Sequence, residues 1–260
     1  GTKIIMNNLF YIFDKTAKSQ KLKKILFKKN RNSNPKNCNY IVVCGGDGFM
    51  LSSLKRYLKF NKPFYGINCG TFGFLMNKYN SKEIKKKIRT SRKVQINPLE
   101  IIANSKNHSK KLIAFNEVSL FRQSKQTVSL NLKAKKNTII KKLIGDGIIV
   151  STPAGSTAYN LSVHGPILSL NSGKLAITPI SPFRPRRWKG KVISNKSIIK
   201  VKNLDPSKRP VAAVADNIEV RNIKSLTIKI NKKIKINLLH DRNRSLVKKI
   251  QSEQIKKNTQ

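Results

Sequence analysis

Residues 45 to 48 read Gly-Gly-Asp-Gly and follow directly on the apolar run Tyr40 to Cys44. A buried strand that ends in such a turn brings main-chain N–H groups and one carboxylate to the same spot. Gly45, Gly46 and Gly48 carry no Cβ, so their backbone can adopt unusual angles, approach a phosphate closely and turn N–H groups towards it. Asp47 would repel that phosphate, which makes an acid here odd for binding alone. It suits a different task, taking the proton from a hydroxyl that attacks a phosphoryl group. By themselves the four residues fit equally well a tight strand-to-helix turn whose aspartate caps the helix.

A second dense segment runs from Gly145 to Ser162. It holds Asp146, a short apolar strand Ile148 to Val150, and the hydroxyls of Ser151, Thr152, Ser156, Thr157 and Ser162, with Tyr159 among them. Such groups can hydrogen-bond ribose hydroxyls and phosphates, while a tyrosine offers a ring face or a hydroxyl to a base. An ordinary Ser/Thr-rich loop has the same composition. The presence of the Asp47 turn in the same chain favours nucleotide chemistry. His164 has no Ser or Cys nucleophile signature beside it and fits a loop or packing role. The basic and aromatic run Ser181 to Lys189 is rich in proline, which favours a rigid exposed turn or an oligomer contact.

The elements that must position these residues fall into two groups. Lys3 to Met6 reads as a strand, Lys15 to Lys29 as a helix through Leu22, Ile25 and Leu26, Tyr40 to Cys44 as a strand, Gly48 to Leu58 as a helix and Phe64 to Asn68 as a strand. This alternation predicts a parallel sheet covered by helices, with ligands at the carboxyl ends of its strands. From about Val94 the pattern changes to short alternating runs, among them Val128 to Lys133, Ser197 to Val201 and Leu226 to Ile230, which predict antiparallel β-structure. The expected fold is therefore α/β plus all-β: an N-terminal Rossmann-like nucleotide domain over residues 1–93 and a C-terminal β-sandwich domain over 94–239. The tail from about 240 to 260 carries helical spacing over Ser245 to Lys257 and is expected to pack back on the first domain.

Composition bounds the partners. The formal net charge is +44, yet lysine is spread through every segment, which reads as a general compositional bias and not as a dedicated nucleic-acid arm. No apolar run approaches the ~18 residues a membrane span needs. No basic start followed by an apolar core and a small-residue cleavage site opens the chain, so a cytoplasmic protein without membrane or specific nucleic-acid partners is expected. Cys38, Cys44 and Cys69 lack metal-ligand spacing and fit free thiols in a reducing compartment.

Four blocks then occur in order: Gly-Gly-Asp-Gly at 45 to 48, Asn-x-Gly-x-x-Gly-Phe-Leu at 68 to 75, the pair Asn116-Glu117 after an apolar strand, and Thr-Pro-x-Gly-Ser-Thr-Ala-Tyr-x-Leu-Ser at 152 to 162. In these the chain resembles the NAD kinases over nearly its whole length. The resemblance implies transfer of the ATP γ-phosphoryl group to the adenosine 2'-hydroxyl of NAD, with Mg2+ or another divalent metal arriving with ATP and with a homodimer or homotetramer as the assembly. It leaves polyphosphate open as a second donor. Position by position it makes Asp47 the proton acceptor and Gly48 its neighbour in NAD contact. It makes Asn116 and Glu117 the pair that holds the nucleotide, and Asp146 the acid at a ribose or the nicotinamide end. Ala154, Thr157, Ala158, Tyr159, Asn160, Leu161 and Ser162 line the NAD site by the same token, with Gly45, Gly46, Asn68 and Phe74 beside the nucleotide. Asp216 occupies the place of a later family aspartate, although Asn217 stands where glycine is frequent; Phe49 and Ala154 likewise replace common hydroxyl residues. Two rivals share part of this evidence. A lipid or sphingoid kinase uses a similar glycine turn but carries a different signature after it, and a nonenzymatic polyanion-binding protein would use the charge alone.

Overall fold

The computed structural model describes residues 8–71 and 73–243. The chain divides into two compact units, one formed by the stretch up to Ile96 together with the return from Ile236, the other by Asn97–Lys235. The first unit opens with β1 (Leu9–Phe13), α1 (Ala17–Phe27), β2 (Tyr40–Gly45), α2 (Asp47–Tyr57), β3 (Phe64–Asn68), α3 (Ile84–Thr90) and β4 (Arg92–Ile96). The second contains β5 (Leu99–Asn104), β6 (Ser109–Ala114), β7 (Glu117–Arg122), β8 (Val128–Ala134), β9 (Asn137–Gly145) and β10 (Gly147–Ser151). It continues through the single turn of helix α4 (Tyr159–Ser162), then β11 (Lys174–Ile180), β12 (Lys191–Ser194), β13 (Ile199–Asn203), β14 (Val211–Ala215), β15 (Ile218–Val220) and β16 (Ser225–Ile230). A last strand, β17 (Ile236–His240), returns to the first unit.

In the first unit the sheet order is β1-β2-β3-β17-β4, with the first four strands parallel and β4 antiparallel to β17. Helix α1 forms because Thr16 caps it, accepting the Ser19 N–H, and because Leu22 and Leu26 lie four apart on one buried face. Its Ile25, one of the three positions in the expected apolar stripe, is 40% exposed. Leu22 and Leu26 pack with Tyr11, Val42, Cys44, Tyr65 and Ile67 of the sheet and with Ile84 and Ile88 of α3. Each such leucine contributes about 1.5–3 kcal/mol by leaving water. Both glycine-bearing turns, after β2 and after β3, sit at the carboxyl ends of parallel strands, as the alternation predicts.

The second unit is a β-sandwich. One sheet runs β12-β11-β10-β7-β14-β15 and the other β6-β5-β16-β13-β8-β9. Their inner residues, Val118, Leu120, Ile148 and Val150 from one and Leu130, Leu132, Val201 and Leu226 from the other, share one buried core. The fold is thus α/β followed by all-β. The expected division at 93/94 falls within β4, and β17, counted by the sequence with the sandwich, pairs with β3 and β4 instead. An alternating pattern marks a strand but carries nothing about which sheet it joins. The strand expected over 3–6 and the helix expected over 245–257 lie outside the described residues.

Asn77 ties β17 to the turn that follows β3. Fully buried, it donates through Nδ2 to the Leu239 carbonyl at 2.9 Å and accepts the Asp241 N–H through Oδ1 at 2.8 Å. Asn77→Ala leaves a buried carbonyl and an N–H without that partner, at about 1–3 kcal/mol each. The urea midpoint of that variant is expected to fall well below that of the wild type, with an unchanged far-UV spectrum at zero denaturant.

Candidate active site

In the first unit β2 ends at Gly45, Gly46 caps α2 with extended backbone angles, and Asp47 is the first residue of the helix. The Asp47 carboxylate reaches the turn after β3: Oδ2 accepts the Phe74 N–H and Oδ1 the Leu75 N–H, both at 2.9 Å. Asn68 shapes the same turn, its Oδ1 accepting the Gly70 N–H at 3.0 Å, and the Cys69 N–H donates to the Gly45 carbonyl. The glycines differ from expectation. None of the three has a positive φ; a Cβ on Gly45 would press on Asp14 and Phe49 at 2.7 Å, whereas a Cβ on Gly46 or Gly48 would meet nothing within 4 Å. Gly45 is therefore needed for packing, and the space beside Gly46 and Gly48 at the start of α2 is open. The first N–H groups of that helix have no partner within the helix and can meet an anion there.

In the second unit three neighbouring strands converge. Glu117 begins β7, opposite Ser151 at the end of β10, and Val118 lies opposite Ala215 at the end of β14. Asp216, just past β14 with φ 53°, sends its carboxylate under the start of β7. Its Oδ2 accepts the Phe115 N–H at 2.8 Å, and its Oδ1 accepts those of Asn116 at 2.9 Å and Glu117 at 3.3 Å. Its own N–H donates to the Glu117 carbonyl. From the β10 side the Thr152 hydroxyl donates to the carbonyls of Phe115 at 2.6 Å and Asn116 at 3.1 Å. Gly155 closes the clamp, for a Cβ there would lie 2.1 Å from the Asn116 carbonyl oxygen. Every main-chain polar group of residues 115–117 is thereby satisfied. The side chains are not: Asn116 Oδ1 and Glu117 Oε2 are buried without a hydrogen-bond partner among the described residues. A buried polar oxygen in that state calls for a partner from outside the protein, a water or a ligand.

Asp146 lies elsewhere. It precedes Gly147, which pairs with Phe121 near the far end of β7, and its carbonyl accepts the Arg122 N–H, so it sits about five residues, roughly 17 Å, along the sheet from Glu117. Its Oδ1 is held by Arg122 Nε at 2.9 Å. Tyr159, 39% exposed on α4, feels both ends: burial pushes its hydroxyl pKa up, and the charges of Asp146 and then Glu117 push it further. Of the loop residues, Ala154 and Thr157 are buried, Ala158 and Leu161 half-buried and Ser162 exposed. Asn160 is fully buried and its amide is spent within the protein, on the carbonyls of Ser156 and Pro166 and on the Thr178 hydroxyl. At the Asp146 end a cavity of about 630 Å3 is lined by Ser162, His164, Ser181, Arg187, Trp188 and Lys189.

Three residues of this arrangement were not singled out from sequence. Thr152 was visible inside its block, but nothing in the block says that its hydroxyl faces the Asn116 turn. Arg122 gave no signal among so many cations, and Thr178 sits in an apolar strand. The chemistry of Glu117 also emerges only in three dimensions. Burial, and then the charge of Asp216, push its carboxyl up to about 7. It can thus donate or accept near neutrality.

The family described as ATP-NAD kinase C-terminal domain matches residues 115–237. An NAD kinase of Zymomonas mobilis is 40% identical over 253 residues, 96% of this chain and 98% of that protein. One of Mesorhizobium japonicum is 44% identical over 217 residues, 83% of this chain and 84% of that protein. Among solved structures, yeast NADH kinase complexed with NADH superposes with a TM-score of 0.77 at 20% identity, over 95% of this chain and 86% of that one. An NAD kinase from Archaeoglobus fulgidus in complex with ATP gives 0.74 at 23% identity, over 94% of this chain and 99% of that one.

Glu117 has a consequence for stability. Its folded pKa of about 7 lies above its ordinary value of 4.5, so the stability it contributes is fully present below about 4.5 and is lost as pH rises through about 7. Glu117→Gln removes that dependence. The ligand-free wild type is expected to lose melting temperature relative to Glu117→Gln between pH 5 and pH 8, measured side by side by thermal unfolding; a constant difference across that range contradicts the assignment.

Proposed function

The chain belongs to the NAD kinase family, and from that premise we propose that it moves the γ-phosphoryl group of ATP to the adenosine 2'-hydroxyl of NAD, giving NADP and ADP. The observation that carries the reading is the pair of partnerless buried oxygens, Asn116 Oδ1 and Glu117 Oε2, with Asp146 roughly 17 Å along the same sheet. A dinucleotide has two nucleoside ends separated by a diphosphate, and two polar stations at that spacing suit it. Asn116 and an ionised Glu117 accept hydrogen bonds from the adenosine end, the glutamate from ribose hydroxyls. Asp146, oriented by Arg122, receives the nicotinamide end, and the exposed Tyr159 and Ser162, backed by the buried Ala154 and Thr157, complete the wall. Asn160, whose amide is committed internally, holds the loop that presents them.

Asp47 is the proton acceptor. As the 2'-oxygen bonds to the γ-phosphorus, the bond from phosphorus to the β,γ-bridging oxygen breaks, ADP leaves, and the hydroxyl proton passes to the carboxylate. One Asp47 oxygen accepts the Phe74 N–H and the other the Leu75 N–H. The two bonds fix its orientation, so little reorganisation accompanies the transfer. The N–H groups at the start of α2, with the open space beside Gly46 and Gly48, suit the transferring phosphate.

Mg2+ enters as part of the substrate, bound to ATP, where it offsets phosphate charge. A homodimer or homotetramer is the assembly that the resemblance to the NAD kinases implies. A cytoplasmic setting is supported by three buried free cysteines. Among the described residues no helix is long and apolar enough to cross a membrane.

Incubation with NAD, ATP and Mg2+, followed by an NADP-specific dehydrogenase assay, is expected to show NADP. Asp47→Asn is expected to retain NAD binding and lose about 10²- to 10⁴-fold in turnover. Wild-type protein that is folded and binds NAD yet forms no NADP with any phosphoryl donor overturns the activity; undiminished turnover in the variant removes Asp47 from it.

A further inference from the structure

Asp216 commits its carboxylate to the protein's own backbone. Its carboxylate is occupied beneath residues 115–117, accepting three successive main-chain N–H groups across about a hundred residues of sequence. Its own N–H closes a fourth bond to Glu117. On the opposite side the same three residues are held by Thr152 and by the close approach of Gly155. A segment clamped on both sides of its backbone can move its side chains only by rotation about their own bonds, and the two side chains it carries end in the partnerless oxygens of Asn116 and Glu117.

We propose that Asp216 is a positioning residue of the reaction: its carboxylate fixes the Phe115–Glu117 main chain and thereby aims the Asn116 and Glu117 side chains at the nucleotide, without contacting the nucleotide itself. This rests on the NAD kinase reading of the same site and replaces direct contact by Asp216 with support from below. The arrangement also places two acids together in a chain whose formal charge is +44 and which has eleven acids in all. A neutral cap, such as a serine, would satisfy fewer of the three N–H groups, and charge-assisted bonds are the stronger ones. The second acid has a chemical effect. The groups brought to bear on Glu117 are the Asp216 carboxylate and, from α4, the Tyr159 hydroxyl. Burial is the larger cause of the raised Glu117 pKa and the charge of Asp216 adds to it, so Asp216 fixes where Glu117 points and contributes to the pH at which it becomes an acceptor.

Two substitutions separate these effects. Asp216→Asn removes the charge and turns one acceptor into a donor facing an N–H; Asp216→Glu keeps the charge one methylene too far. Both are compared with the wild type by circular dichroism, by KM for NAD and for ATP, and by the pH profile of kcat/KM for NAD. Asp216→Asn is expected to lower kcat/KM for NAD roughly 10- to 100-fold, as misplacement of a binding group does. KM for ATP should stay within about twofold, and the acid limb of the NAD profile should move to lower pH. Asp216→Glu is expected to raise KM for NAD while the acid limb stays where it is in the wild type. The proposal is overturned by an unmoved acid limb in Asp216→Asn, by a loss shared equally between NAD and ATP, or by wild-type kinetics in Asp216→Glu; the last decides the matter even if Asp216→Asn does not fold. Failure of the NAD kinase reading is a different result, the absence of NADP from the wild type.

Discussion

Asp47 accepts the N–H groups of Phe74 and Leu75, and Asp216 accepts those of Phe115, Asn116 and Glu117. In both units a single carboxylate gathers main-chain donors from a turn remote in sequence, and the functional geometry depends on it. A turn cannot donate these N–H groups to a helix or a sheet ladder, so without the acid they would need water or remain unpaired. A carboxylate supplies several acceptor sites in one plane and binds them more strongly than a neutral oxygen would. The rest of each site is laid on these clamps: Asn68 and Gly45 brace the first, Thr152 and Gly155 the second. The difference between the two is instructive. Asp47 lies beside open space at the head of α2 and can act on a ligand, whereas Asp216 lies beneath the backbone it holds.

Charge makes the placement of these acids informative. Against 55 lysines and arginines the chain has 11 acids, so a cation without an acidic partner is the ordinary case here and marks nothing. An acid set close to another acid is the exception. Glu117 and Asp216 form such a pair, and Tyr159 lies within the influence of both Glu117 and Asp146. The broad positive field draws an anionic dinucleotide and a nucleoside triphosphate towards the protein. Asp47 and Asp216 serve a local task that the field cannot, ordering main-chain donors.

Much of the fold was legible because periodicity is local. β2, α2 and β3 appear within a residue or two of their expected bounds, and the change to alternating runs marks the sandwich. What was not legible depends on contacts across long separations. β17 reads as one more alternating strand and joins the α/β sheet by pairing with β3 and β4, with Asn77, more than a hundred and fifty residues earlier, bonded to it. Ile25 fits the helical stripe of α1, but the sheet beneath is covered by Leu22 and Leu26. In the candidate site, Asp47 and Asp146 stood out by residue type, whereas Asn116 and Glu117 were named through the resemblance to the NAD kinases. Their division into stations was not legible, because the register between β7 and β10 is what sets Glu117 and Asp146 at opposite ends of one strand. Asp216 could be named as a residue but not as a support, since nothing in a sequence shows where a carboxylate turns.

The central claim is that the two partnerless oxygens of Asn116 and Glu117, held by Asp216 from below, are where the adenosine end of NAD is received. A crystal structure of the NAD complex at neutral pH tests it most directly. The account expects both oxygens within about 3.2 Å of nucleotide donors, with Asp216 still bonded to the three N–H groups and touching no ligand atom. Adenosine bound elsewhere, with these oxygens facing only water, or Asp216 turned out from beneath the strand to meet the nucleotide, would contradict it.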